Sequence, residues 1–472
     1  MIRKITSLAA GLILSMPVVA QNYNAQNISL VGHFDDPNVP VASAFGIHYQ
    51  GVWGWHNPAD NREYGIIGAA HGTFFIDVTN PATPVEVDFL PSVQSDCIWH
   101  EIKTYSHYAY IVGDDAGGNT FQIVDLQYLP DSIHVVHNGT TYFERSHTIY
   151  VDGNKLWCGS VTLAGNQGYY SMAVYSLANP EQPQLLRTLN QDYPSVSTVH
   201  DMFVRNDTVY VSAGYQKLYI YKFNSNNTFT ELASFGSYPE SGYNHSSFLT
   251  SDGRTLIFMD EVPDGMGVKS LDVSNLGNLT INQIFRSTQG CTPHNPYIIG
   301  NNTLVCAYYQ DGVQIFDISN PSNAVRTGYF DTDTLNNQSN GYPDAYHGCW
   351  GAYTDLPSGY LLASDMQNGL YVLDISQAIA TSTPEPAVPV QTLNAYPNPF
   401  VNGFMVSLQL DREQEVEWEL IDQTGRVVEQ GKQNMPGGSA LFELDATGVA
   451  AGAYTLRLKG ETFTGRSLVM KP

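Results

Sequence analysis

Charge, cysteine and long apolar runs are all scarce in this 472-residue sequence, and each scarcity excludes a class of protein. Only 14% of residues are charged, and the basic side is the thinner one: 21 Lys and Arg stand against 45 Asp and Glu, a net charge of −24 at pH 7. So acidic a chain repels phosphate backbones and anionic lipid, which excludes nucleic acid and membrane surfaces as natural partners and favours cations and neutral polymers. Beyond the first twenty residues no apolar run approaches the roughly 20 residues that a membrane-spanning helix needs, so no transmembrane segment is expected. The five cysteines, Cys97, Cys158, Cys291, Cys306 and Cys349, include no close pair of the kind that holds a structural zinc, and no disulfide pairing is nominated. Also missing are a nucleophile elbow, a phosphate loop and a zinc-protease helix, which weighs against the commonest hydrolytic chemistries.

The sequence is instead rich in turn formers and aromatics, with 41 Gly, 25 Pro and 30 Tyr. That composition favours many short strands joined by tight turns. At the N-terminus, Arg3 and Lys4 precede an apolar run from Leu8 to Leu14 and the small residues Val18-Val19-Ala20. This is the pattern of a secretory signal over residues 1–20, with cleavage after Ala20.

One phrase then returns along the chain: an apolar strand, Asp, an aliphatic residue, Ser or Thr, and often Asn-Pro. It reads Phe74-Phe75-Ile76-Asp77-Val78-Thr79-Asn80-Pro81, returns as Val313 to Pro321 and as Leu370 to Ser376, and has weaker copies centred on Asp125, Tyr175, Lys222 and Asp272. Several strands within a period of roughly 40 to 50 residues is the mark of a β-propeller, one four-stranded blade per repeat. The Asp of each phrase suits a turn in which its carboxylate binds nearby amides, so these Asp are read as structural. The last repeat, His347 to Ile375, holds only three strands. Ile28 to Asp35 resembles an outer strand such as Val85 to Phe89 and supplies the fourth, closing the ring and removing an open edge. The expected fold is therefore all-β: a seven-bladed β-propeller over residues 28–376, closed by an N-terminal strand and followed by a small C-terminal β-sandwich.

From Tyr49 to Ser376 the repeats resemble the LVIVP-repeat proteins, the family described as choice-of-anchor B. The resemblance is carried by Gly51-Val52-Trp53-Gly54-Trp55, Arg62-Glu63-Tyr64-Gly65, His147-Thr148-Ile149, His200-Asp201, Gly348-Cys349-Trp350-Gly351 and Pro357-Ser358-Gly359. It implies an exported propeller and supplies no established reaction. Residues 377–392, rich in Ala, Pro, Ser and Thr, read as a linker. In 393–472, Val406 to Leu410, Val416 to Ile421 and Ala453 to Leu458 alternate as strands of a sandwich. There Tyr396-Pro397-Asn398-Pro399-Phe400 and the terminal Gly465 to Lys471 resemble the type IX secretion C-terminal sorting domain of type A. That resemblance implies the type IX machinery as a partner, passage across an outer membrane, and attachment to the cell surface or release.

Histidine marks the blades. His100, His147, His200, His245, His294 and His347 recur at intervals of 47, 53, 45, 49 and 53 residues, each at the start of an inner strand. Aligning Gln50-Gly51-Val52-Trp53-Gly54 with His347-Gly348-Cys349-Trp350-Gly351 puts Gln50 in the seventh place. The turns between second and third strands reach the same rim and carry Asp114, Asp115, Asp260, Glu261, Asp264, Asp311 and Asp365. Imidazoles and carboxylates converging on a channel mouth suit a divalent metal: zinc if His200, His245 and His294 take part with Asp260, Glu261 or Asp311, calcium if carboxylates act alone. Cys97 and His100, like Cys291 and His294, share a Cys-x-x-His spacing, more simply read as buried residues at equivalent repeat positions.

Three functions stay open at this point. The histidines could be staples that bind a neighbouring blade's carbonyl or carboxylate. The mouth could bind a metal, glycan, peptide or protein, with Trp53, Trp55, Trp99 and Trp350 stacking on sugar rings. Or a hydrolase or lyase could use a metal, or a His general base beside Asp201, Glu101 or Glu261. Binding is the favoured reading, and a monomer is expected.

Overall fold

The computed structural model describes residues 23–43, 45–93, 96–114, 121–165, 167–333, 346–380, 390–410, 412–422, 427–460 and 464–472. The expected signal at 1–20, Asp115, and residues 381–389 of the expected linker lie outside them. The chain divides into two compact units, Met1–Thr383 and Pro384–Pro472.

The first unit is a β-propeller. Among its described residues the sheets number seven, each a run of four antiparallel strands from the channel outward. The innermost strands are Tyr49–Asn57, His100–Tyr105, Thr148–Asp152, Asp201–Arg205, Asn244–Leu249, Asn295–Ile299 and Cys349–Tyr353. Each packs on the inner strands of both neighbours, the last against the first, so the ring is closed. Burial follows from position in the blade. Second strands such as Thr255–Asp260 are buried at every residue because neighbouring blades cover both faces. Outer strands such as Val85–Pro91 expose Val85 and Glu86 and read as half-polar.

The ring closes through the N-terminal segment. Ser29–Phe34 pairs with Gly369–Asp374 as the fourth strand of the last sheet, and Ala25–Gln26 adds a fifth strand to the sheet before it. Gly32 is required in that strand, since a Cβ there would come within 1.9 Å of the Pro81 carbonyl oxygen. The recurring Asp behave as turn residues. Asp77, Asp125, Asp272, Asp317 and Asp374 each accept a hydrogen bond at 2.8–2.9 Å from the backbone N–H two residues on. Residues 377–380, expected as linker, instead continue a short helix, Ser376–Ala380, whose Ala378 is buried in the propeller core.

The second unit stacks a five-stranded sheet on a three-stranded one around Phe400, Phe404, Val406, Phe442, Leu456 and Leu458. Its two terminal motifs meet. The Asn398 side chain donates to the Leu468 carbonyl at 2.8 Å and accepts from the Met470 N–H at 2.9 Å, and the Phe400 N–H donates to the Met470 carbonyl at 2.8 Å. One amide side chain thus clamps both ends of the sandwich, a physical reason for the two motifs to occur together.

Candidate functional site

Each inner strand begins at one end of the channel, so residues at equivalent starts form a ring there. A cavity of about 880 Å³ occupies this end, and His100, His147, His200, His245 and His294 all line it. Four of them form an arc. The His147 and His200 rings are 4.3 Å apart, His200 and His245 4.2 Å, and His245 and His294 4.6 Å.

Hydrogen-bond counting assigns the protons. His147 Nδ1 lies 2.7 Å from Asp114 Oδ2, its Nε2 lies 2.8 Å from His200 Nε2, and His200 Nδ1 lies 3.1 Å from the His245 carbonyl. A carboxylate and a carbonyl only accept, so both Nδ1 atoms carry hydrogen. One proton must also sit between the two Nε2 atoms, so one of the two rings is an imidazolium, and the Asp114 carboxylate beside His147 favours the charge there. Electrostatics agree. Burial opposes a charge on His147, but the Asp114 hydrogen bond and charge outweigh it and raise its pKa. Burial and the His147 charge push His200 well down. Burial likewise opposes the Asp114 carboxylate, yet His147 and Arg145 hold its pKa below the ordinary value.

This pair sets a pH window. His147, raised on folding, contributes stability below its unfolded pKa of about 6.5 and loses it as pH rises through the folded value. Asp114, lowered, contributes above about 3.9 and loses it as pH falls through the folded value. The pair therefore stabilises most between roughly pH 4 and 6.5. Arg145, His200, Asp201 and Glu101 also face it. The Asp114→Asn variant should drop the His147 pKa below its ordinary value, read by histidine NMR titration; an unchanged pKa contradicts the assignment.

The other histidines differ. His294 Nδ1 sits 2.5 Å from the Trp350 carbonyl, and burial drives its pKa down to about 3. His245 is 4% exposed, with Nε2 at 3.7 Å from Glu261 Oε2. Its Nδ1 lacks a partner of hydrogen-bond geometry, although the His294 backbone is close enough to favour its protonation against burial and the surrounding imidazoles. His100 stands apart, held by Gln50 Oε1 at 2.7 Å and Ser92 Oγ at 3.2 Å, with burial taking its pKa to about 4. Gln50 is thus a staple behind the ring and does not line the cavity.

His347 is a correction. It lies outside the cavity, and Trp350 takes its place: the His294 Nδ1 hydrogen bond to the Trp350 carbonyl repeats that of His200 to the His245 carbonyl. His245 and Trp350 each sit at a register shift in the inner strand, between Asn244 and Ser246 and between Cys349 and Gly351. Repeat spacing does not reveal that Trp350, three residues beyond His347, lines the cavity in its stead.

The carboxylates divide. Asp114 and Glu261 face the cavity. Asp260 does not: it is fully buried against Lys269, Nζ to Oδ2 2.8 Å, and accepts from the Tyr238 hydroxyl at 2.9 Å and the Gly242 N–H at 3.0 Å. Asp311 is held by Ser287 Oγ at 2.6 Å and Cys291 Sγ at 3.1 Å. Asp365 binds the amides of its own turn, and Asp264 is exposed outside the cavity. Of the Cys-x-x-His pairs, Cys97 Sγ points to the Ile98 carbonyl and Cys291 Sγ to Asp311 Oδ1, and all five cysteines are buried.

Deeper in the channel Glu101 and Asp201 line the cavity beside Lys103, which pairs with Glu101 and lies 4.1 Å over the Trp53 ring. Burial and the Glu101 charge raise Asp201 to about 7, and burial raises Glu261 to about 7 against the Tyr309 hydrogen bond. The outer rim is aromatic. Trp99 and Trp350 stack at 4.7 Å and 15°, with Phe45 and Tyr346 packed around Trp99 at 5.4 and 5.0 Å. Trp55, by contrast, is a core residue, stacked on Tyr64 and bonded to the Ser106 carbonyl. Trp99 and Tyr309 hold positive φ angles of 59° and 43°, strained for such side chains. Phe45, Tyr309 and Tyr346 carry no repeat signal in the sequence.

Two family descriptions match the chain: the secretion system C-terminal sorting domain at residues 394–471 and the LVIVD repeat at residues 304–332. No curated protein matches. Similar solved structures include the WD40 β-propeller domain of Doa1 at 10% identity, covering 76% of this chain and 98% of that one, TM-score 0.49. Another is the set of WD40 repeats of RRP9 at 10%, covering 73% and 99%, TM-score 0.47. A third is PorZ of Porphyromonas gingivalis, described as a surface component of the type-IX secretion system, at 10%, covering 87% and 64%, TM-score 0.38. The sorting domain means that the protein is handled by the type IX machinery and exported to the cell surface or secreted. No helix among the described residues is long and apolar enough to cross a membrane.

Proposed function

We propose that this exported propeller is a binding module whose ligand enters the channel mouth. The observation that carries this reading is the composition of the 880 Å³ cavity: stacked indoles and exposed aromatics at the rim, then imidazoles, then carboxylates below. Apolar walls with a few convergent polar groups are what small-ligand sites offer. With the charge of the chain, they favour a neutral or cationic ligand, a saccharide or a peptide segment. Phe45, Tyr169 and Tyr215 are 39%, 46% and 71% exposed beside the opening, apolar area that solvent alone does not favour.

Saccharide and peptide arrays probed with the full-length chain test the reading. A ligand class should bind, and Trp350→Ala should weaken it at least tenfold, about 1.4 kcal/mol, without lowering the thermal midpoint by more than a few degrees. Binding that survives the loss of Trp350 would place the ligand elsewhere.

One observation favours a second, enzymatic reading. Asp201 and Glu261, raised to about 7 within one cavity, are carboxyls suited to proton transfer near neutral pH. Turnover of a polysaccharide, peptide or phosphoester panel, lost in Asp201→Asn, would support it; silence across all three leaves binding.

A further inference from the structure

We propose that His245, His294 and Glu261 form a binding site for one divalent transition-metal ion, zinc by its donor set, inside the channel mouth. One ligand atom from each of the three buried residues lies within 4.8 Å of the other two. The best-defined edge, His245 Nε2 to Glu261 Oε2, measures 3.7 Å. That is too long for a hydrogen bond, whose ordinary upper limit is about 3.2 Å. It is close to the edge of a tetrahedron around zinc, where bonds of about 2.0–2.2 Å put ligand atoms about 3.4 Å apart.

The surrounding contacts aim these atoms. His294 gives its Nδ1–H to the Trp350 carbonyl, which leaves Nε2 with a free lone pair. Glu261 Oε1 accepts from the Tyr309 hydroxyl at 2.6 Å, which leaves Oε2 free toward His245. Ligands held through their second polar atom are the arrangement metal sites use. Tyr309 makes this contact from a backbone held at a positive φ of 43°. Neighbouring groups fall outside the donor set for stated reasons. His200 has both nitrogens engaged, by His147 and by the His245 carbonyl, and Asp260 is neutralised by Lys269. Two imidazoles and one carboxylate exclude calcium, which takes oxygen ligands, and leave positions open to the cavity. An ion could be held there whether or not an organic ligand binds, so this inference stands or falls apart from the previous one.

The test uses the purified full-length chain, stripped with chelator and titrated with zinc, with metal content measured after dialysis. One zinc per chain is expected. His294→Ala and Glu261→Gln should each weaken zinc at least tenfold, and calcium should not compete. His100→Gln is the control: His100 is equally buried in the same mouth but bound by Gln50 and Ser92, so zinc binding should persist. Cobalt substituted for zinc should give visible bands that Glu261→Gln alters. Glu261→Gln keeps the side chain's shape, and decides the matter where an alanine variant fails to fold. No stoichiometric zinc in the parent chain, or equal losses in His100→Gln and Glu261→Gln, would overturn the site.

Discussion

Replacing Lys269 with Met should destabilise the propeller by about 3–5 kcal/mol, among the largest effects open to a single substitution. Lys269 and Asp260 are both fully buried, paired at 2.8 Å on adjacent strands of the fifth sheet. Desolvation lowers the Lys269 pKa even against the Asp260 charge, a sign of how little water reaches the pair. Taking away the ammonium leaves a carboxylate in a dry interior with only the Tyr238 hydroxyl and the Gly242 N–H for compensation. Burial without the ammonium disfavours the charged carboxylate, which in the variant raises its folded pKa above the unfolded one. The sign of the pH dependence follows: the variant keeps more stability at acid pH and loses it as pH rises through the new folded value. Urea midpoints at pH 5 and pH 8 should separate for Lys269→Met more than for the parent. Asp260→Asn combined with Lys269→Met should recover part of the loss. A single variant within 1 kcal/mol of the parent at pH 8 would show that water or another cation already serves Asp260.

The second large effect concerns ring closure. A chain lacking residues 24–34 should fail to give a monodisperse monomer. Those residues supply the outer strand of the last sheet, hydrogen bonds from Asn27 to the Thr327 carbonyl and from the Tyr329 hydroxyl to Asn24, and the buried Ile28. Each lost bond costs about 0.5–1.5 kcal/mol net. Burial of Ile28 adds about 1.5–3 kcal/mol. Together they consume much of the roughly 5–15 kcal/mol that ordinarily holds a domain folded. The loss also bares the edge of Gly369–Asp374, a strand buried along nearly its whole length. Size-exclusion chromatography and urea denaturation read the outcome. A soluble monomer with the parent's midpoint would mean that the other sheets hold the ring without the N-terminal strand.

Much of this fold is legible in the sequence because blades are periodic objects. A repeating Asp that must close a turn, as at Asp77, Asp317 and Asp374, leaves a mark at every repeat. The N-terminal strand is legible because the last repeat is one strand short. The site is legible only in part. Five histidines of the series line the cavity, while His347 does not and Trp350 lines it instead. Asp260 and Glu261 cannot be told apart by spacing. They are neighbours at a strand end, where successive side chains point to opposite faces, and only Glu261 faces the channel. Tyr309 and Phe45 come from loops whose residues differ from repeat to repeat, so periodicity could not find them.

The chemistry of the mouth thus comes down to which of its polar atoms are already satisfied. His147, His200 and His100 have hydrogen-bond partners at both nitrogens. His245, His294 and Glu261 keep donor atoms turned toward one another. Diffraction from zinc-loaded crystals, recorded on both sides of the zinc absorption edge, tests this most directly. A single anomalous peak bonded to His245, His294 and Glu261 at about 2.0–2.2 Å is expected. A peak between His147 and His200, at surface carboxylates only, or nowhere would contradict it.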